Sequence, residues 1–84
     1  MFEGYTIYGK NDCSSCTKAK ALLDEKNIEH EYLTVGVNYT LGDMFEIAPR
    51  SHRTFPMVSK TVGGTVTYVG GYEDLVVDVE KEGF

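Results

Sequence analysis

Apolar and polar residues change period several times along this chain, and each change marks an element. Residues 5–8, Tyr-Thr-Ile-Tyr, are β-branched and aromatic and predict a strand, with a turn over 9–12. From 14 to 26 the period becomes helical. Cys16, Ala19, Leu22 and Leu23 share one face, and Lys18, Lys20, Asp24 and Glu25 share the other. Asp12 or Cys13 is placed to cap this helix and Asn27 to stop it. Residues 29–35 predict a second strand. Leu41, Met44, Phe45 and Ala48 form a second helical face that Pro49 ends, and 50–53 read as a loop. A third strand is predicted over 55–62, with Pro56 near its start, where a missing N–H is tolerated. Gly63 and Gly64 make a hairpin turn into a fourth strand over 65–69, which Gly70 and Gly71 break. Tyr72, Leu75, Val76 and Val79 then recur at i, i+3, i+4 and i+7, a third helix.

The first strand–helix–strand unit requires a parallel pair with a right-handed crossover, and the later hairpin adds an antiparallel pair. The expected architecture is α/β, a four-stranded mixed sheet with three helices distributed over both faces. Its core candidates are Tyr5, Ile7, Leu22, Leu23, Phe45, Val58, Val66, Leu75 and Val79. With no repeat, linker or low-complexity segment, residues 1–84 read as a single domain.

Composition narrows the function classes. A hydrophobic content of 42% with 25% charged residues fits a soluble globular chain. The net charge of −5 argues against nucleic-acid or anionic-membrane binding. No segment approaches the ~20 apolar residues that span a bilayer. The first residues lack the basic and apolar regions of a signal peptide, so the expectation is a protein of the reducing cytoplasm. In that compartment a cysteine pair is catalytic more often than structural.

The only cysteines are Cys13 and Cys16, placed where the first strand turns into the first helix. Two intervening residues allow a small disulfide ring, and a helix N-terminus favours the thiolate of the first cysteine. Lys10 adds a nearby positive charge. Cys13 is thus the candidate nucleophile. Cys16, one turn further in, is the candidate resolving thiol. A zinc site is the competing reading, but it needs two more ligands, and only His30 and His52 are available, in different predicted elements.

Two further segments carry candidate chemistry. In Thr54-Phe55-Pro56 the proline is either a simple strand start or a cis peptide that turns the Phe55 backbone towards an extended ligand. Gly70-Gly71-Tyr72-Glu73-Asp74 is either ordinary helix-start chemistry or a cradle for a carboxylate, with Asp74 available to an ammonium.

Lys10-x-x-Cys13-x-x-Cys16, Arg53-Thr54-Phe55-Pro56 and Gly70 to Asp74, in this order and spacing, together resemble the glutaredoxins. The resemblance implies a thioredoxin-like fold and a glutathione-dependent dithiol oxidoreductase, monomeric, with glutathione as co-substrate and no metal. Cys13 would attack disulfides or glutathione mixed disulfides, and Cys16 would resolve protein disulfides. The implied glutathione contacts are Lys10, Ser15, His52, Thr54, Phe55, Pro56, Gly71, Glu73 and Asp74, with Pro56 as the cis-proline. Disulfide-bearing proteins, among them a ribonucleotide reductase, are the implied acceptors. The chain departs from the family's pattern at Ser14-Ser15, where Pro-Tyr is common, and at Phe55, where valine is usual. It also carries His52 in place of a frequent glutamine and Glu73 in place of a small hydroxyl residue. These departures keep two alternatives open: a carrier reduced by thioredoxin reductase, and an iron–sulfur carrier that binds a cluster as a glutathione-ligated dimer.

Overall fold

The computed structural model describes residues 3–49 and 55–81. Its elements are β1 (Gly4–Gly9), α1 (Ser14–Glu25), β2 (His30–Thr34), α2 (Leu41–Phe45), β3 (Met57–Val62), β4 (Thr65–Gly70) and α3 (Tyr72–Lys81). The strands form one sheet in the order β2-β1-β3-β4. β1 runs parallel to β2 and antiparallel to β3, and β3 is antiparallel to β4. This is the mixed four-stranded sheet with three helices that the residue pattern predicts.

Alternation along β1 divides the interior in two. Tyr5 and Ile7 point to one face, where they pack with Ala19 and Leu23 of α1, Val58 of β3, and Leu75 and Val79 of α3. The opposite face buries Tyr39, Met44, Ala48 and Met57, with Tyr8, Leu33, Phe55 and Tyr68 packed against them. Helices therefore cover both faces, α1 and α3 on one and α2 on the other. On the first face the Tyr5 hydroxyl donates to the Asp78 carboxylate, which Lys60 also meets at 3.3 Å, so a polar link joins α3 to the sheet.

Two core candidates are misplaced. Phe45 is 39% exposed and Val66 is 50% exposed. In α2 only Met44 turns inwards, joined by Ala48 just beyond the helix, and Leu41 and Phe45 turn outwards. Val66 lies near the hairpin, opposite Thr61. It shares a sheet face with Tyr68, but the five-residue α2 is too short to cover that end of the strand. The third strand also begins later than expected, at Met57 rather than Phe55.

The C-terminus of α1 shows why Asn27 stops it. Asn27 adopts φ 55°, in the left-handed region that asparagine tolerates. Its amide donates to the Asp24 carbonyl at 3.2 Å and the Ile28 amide donates to Leu23 at 3.0 Å. This is a Schellman closure, and Ile28 packs onto the core beside it. α2, though short, is held by a capping box in which Thr40 and Asp43 exchange side chain-to-backbone bonds.

Candidate active site

Sheet register brings three loops to one end. The C-terminal end of β1 pairs with the start of β3 at Tyr8–Met57, and the end of β4 pairs with β3 at Gly70–Val58. The β1–α1 loop, the segment preceding β3 and the start of α3 therefore meet along one edge. Residues 50–54 lie outside the described residues, and with them His52 and Thr54.

Cys13 is the N-cap of α1, in extended conformation, and Asp12 before it turns the chain with φ 56°. Cys13 and Cys16 are joined as a disulfide with their Cα atoms 5.3 Å apart. The Cys16 amide donates to the Cys13 sulfur at 3.2 Å. A helix N-terminus carries amides without intrahelical partners and the positive end of the helix dipole, so negative charge on that sulfur is favoured. No carboxylate stands in the first turn of α1 to oppose it. Cys13 is half-buried while Cys16 is fully buried, so an incoming disulfide reaches only the first sulfur. Ser14 is exposed and Ser15 half-buried between them. The arrangement suits thiol–disulfide exchange: one accessible sulfur at a favourable potential, and a second already within bonding distance.

Lys10 is exposed and its ammonium sits 5.3 Å from the centre of the Phe55 ring, which draws the redox loop against the segment before β3. The Phe55–Pro56 peptide is cis and Pro56 is buried. The β1–β3 ladder stops at Met57, so Phe55 lies beyond it, at the edge of the redox loop.

At the start of α3 the Gly71 amide donates to the Asp74 carboxylate at 3.1 Å, and the Leu75 amide donates to the Gly71 carbonyl at 3.0 Å. Gly70 has φ 133°, and a β-carbon there would fall 2.3 Å from an Asp74 oxygen. Glycine is thus required where the carboxylate folds back. Asp74 caps its own helix and remains exposed, as does Glu73, while Gly71 is half-buried. Among the described residues no three His, Cys, Asp or Glu side chains converge as a metal cluster. His30 is instead held against Asp24, 3.1 Å from it, at the far end of α1.

Tyr39 received no role from the sequence. Its hydroxyl donates to the Gly9 carbonyl at 2.8 Å, just before the redox loop, and the Tyr8 ring packs edge-on against its own at 5.0 Å. The signal exists only in the fold, because it depends on the loop after β2 returning beneath β1. Burial pushes the Tyr39 phenol up to about 12. Burial also raises those of Tyr8 and Tyr68. In the unfolded chain these phenols release their protons near the ordinary 10.0, so the unfolded state binds fewer protons at alkaline pH. The stabilisation is present below about pH 10 and declines as the pH rises towards 12. Urea unfolding midpoints are therefore expected to fall above about pH 10, and Tyr39→Phe to flatten that fall.

A family model for glutaredoxin matches residues 5–65. Glutaredoxin 1 of Rickettsia conorii is 35% identical over 82 residues, which span 92% of this chain and 72% of that protein. The structure of reduced Escherichia coli glutaredoxin superimposes with a TM-score of 0.72 at 23% identity, covering 93% of this chain and 94% of that one. A buckwheat glutaredoxin–glutathione complex gives a TM-score of 0.68 at 19% identity, covering 96% of this chain and 72% of that one. At those identities the two structures establish a shared fold.

Proposed function

Since this chain belongs to the glutaredoxin family of thiol–disulfide oxidoreductases, we propose that it is a glutathione-dependent dithiol enzyme in which Cys13 attacks and Cys16 resolves. The observation that carries the reading is the half-buried Cys13 sulfur at the N-terminus of α1, bonded to a fully buried Cys16.

The cycle begins with the Cys13 thiolate attacking one sulfur of a substrate disulfide. The S–S bond breaks, one substrate thiolate leaves and takes up a proton, and a mixed disulfide remains on Cys13. Cys16 loses its proton and attacks the Cys13 sulfur, releasing the second substrate thiol and closing the Cys13–Cys16 disulfide. Two glutathiones reopen it. The first forms a Cys13–glutathione mixed disulfide and frees Cys16; the second attacks the bound glutathione sulfur, restoring the Cys13 thiolate and leaving oxidised glutathione. When the substrate is itself a glutathione mixed disulfide, the Cys13 thiolate attacks the glutathione sulfur, the substrate thiolate leaves and takes up a proton, and the last step follows with Cys16 bypassed.

In this reading glutathione lies along the shared edge. Lys10 meets its glycyl carboxylate together with His52, and the Phe55 backbone ahead of cis-Pro56 pairs with its cysteine. Thr54 and Ser15 flank that strand of ligand. Gly71, Glu73 and Asp74 hold the γ-glutamyl end. Disulfide-bearing proteins of the ribonucleotide reductase kind suit the same dithiol chemistry. The enzyme would act as a monomer in the cytoplasm.

Removing the charge of Lys10 tests the groove. Lys10→Ala is expected to raise the glutathione KM roughly two- to fivefold, the size of an exposed charge contact, with a smaller effect on kcat. The measurement is a glutathione reductase-coupled assay on a small mixed disulfide at varied glutathione. An unchanged KM would remove Lys10 from the binding site.

A further inference from the structure

The residues between the cysteines open α1, and the loop ahead of them, residues 10–13, contains no proline. Ser14 and Ser15 carry no ring to restrict the backbone, and Asp12 sits in the left-handed region. α1 anchors the far end of the loop, where the Thr17 amide donates to the Cys13 carbonyl at 3.1 Å, and two tyrosines are placed to hold its near end. Tyr39, 5% exposed, donates to the Gly9 carbonyl at 2.8 Å. That carbonyl already accepts from the Val35 amide at 2.9 Å, so the phenol is not required to satisfy it. From the other face of the sheet Tyr32 reaches the next carbonyl, that of Lys10, with a long contact of 3.4 Å. Its ring lies against Gly9, where an added β-carbon would stand 2.7 Å from the Tyr32 hydroxyl and 3.1 Å from the Cys16 sulfur. Two successive carbonyls, those of Gly9 and Lys10, are thus held from the two faces of the sheet, directly before Cys13.

We infer that Tyr39, backed by Tyr32, is a positioning residue for the redox loop, holding the Gly9 and Lys10 carbonyls so that Cys13 meets the first amides of α1 and Lys10 meets Phe55. The inference rests on the reading of Cys13 as nucleophile. Neither phenol touches the reacting sulfur of Cys13; each acts through the backbone. The charged groups that line the same cleft as Cys13 and Tyr32 are Lys10, Asp12 and Lys20. Lys10 and Asp12 move with the loop while Lys20 stays on α1, so releasing the loop alters the charge around Cys13 as well as its helix contact.

The test is the rate of iodoacetamide alkylation of Cys13 against pH in a Cys16→Ser background, for the parent, Y39F and Y39F/Y32F. Urea unfolding is measured beside it. The expected result is an alkylation profile displaced to higher pH. Below its midpoint the rate should fall roughly fivefold in the doubly substituted protein, the worth of about one neutral hydrogen bond. A profile that is unmoved, or that moves to lower pH, overturns the inference even when the urea midpoint falls, because a tyrosine that only packs changes stability alone. The assay uses no glutathione. A failure of glutathione dependence would appear in wild-type turnover and leave the alkylation result readable.

Discussion

Cys13→Ser is expected to abolish turnover on every disulfide substrate, by on the order of 10³-fold or more, as loss of a nucleophile does elsewhere. Serine retains the shape and the capping ability of the position. A hydroxyl at the N-cap accepts the helix amides at least as well as the sulfur that now accepts from Cys16 at 3.2 Å. The fold should therefore survive, and reduced wild type and variant should unfold at similar urea concentrations. What is lost is the thiolate, because a serine hydroxyl remains protonated in the same potential. Rates on a protein disulfide and on a glutathione mixed disulfide are the measurement, and both should vanish together. Residual activity on either would place the attacking group elsewhere.

Cys16→Ser is expected to divide the two activities. Its sulfur is fully buried and bonded to Cys13, with the two Cα atoms 5.3 Å apart, so resolution by Cys16 would be intramolecular. Positioned intramolecular reactions gain very large effective molarities, and losing that advantage should slow protein-disulfide reduction by on the order of 10²-fold or more. A glutathione mixed disulfide needs no resolving thiol, so activity on it should stay within about twofold of wild type. Parallel kinetics on the two substrate types read this directly. Equal loss on both would make Cys16 part of the attacking machinery and not a resolving group.

The residues themselves announced most of this site. The period change at residue 14 located α1, and the capping preference named Asp12 or Cys13; the structure selects Cys13 because Asp12 is spent on the turn. The hairpin at Gly63 and Gly64 and the order of elements implied the mixed sheet. What failed were judgements about cover. An alternating strand shows that it has two faces, not how far a helix extends over each, and Val66 lies past the reach of α2. Phe45 fell on the right helical stripe, but α2 contributes so few residues that only Met44 and, beyond the helix, Ala48 are enclosed. Tyr32 and Tyr39 were illegible for another reason. Their contacts with Lys10 and Gly9 depend on how β2 and the loop after it lie against β1, and no local pattern encodes that. The start of α3 was legible as a helix start. That Asp74 folds back onto Gly71, close over Gly70, appears only in three dimensions.

Direct exchange between Cys13 and glutathione is the step on which the proposed cycle turns. The Cys16→Ser protein, reduced and then exposed to oxidised glutathione, tests it by intact mass spectrometry. The expected result is one glutathione per chain, attached at Cys13, and its release when reduced glutathione is added. A chain that stays unmodified would rule that exchange out. So would an adduct that glutathione leaves in place, together with a wild-type protein that turns over only with NADPH and thioredoxin reductase.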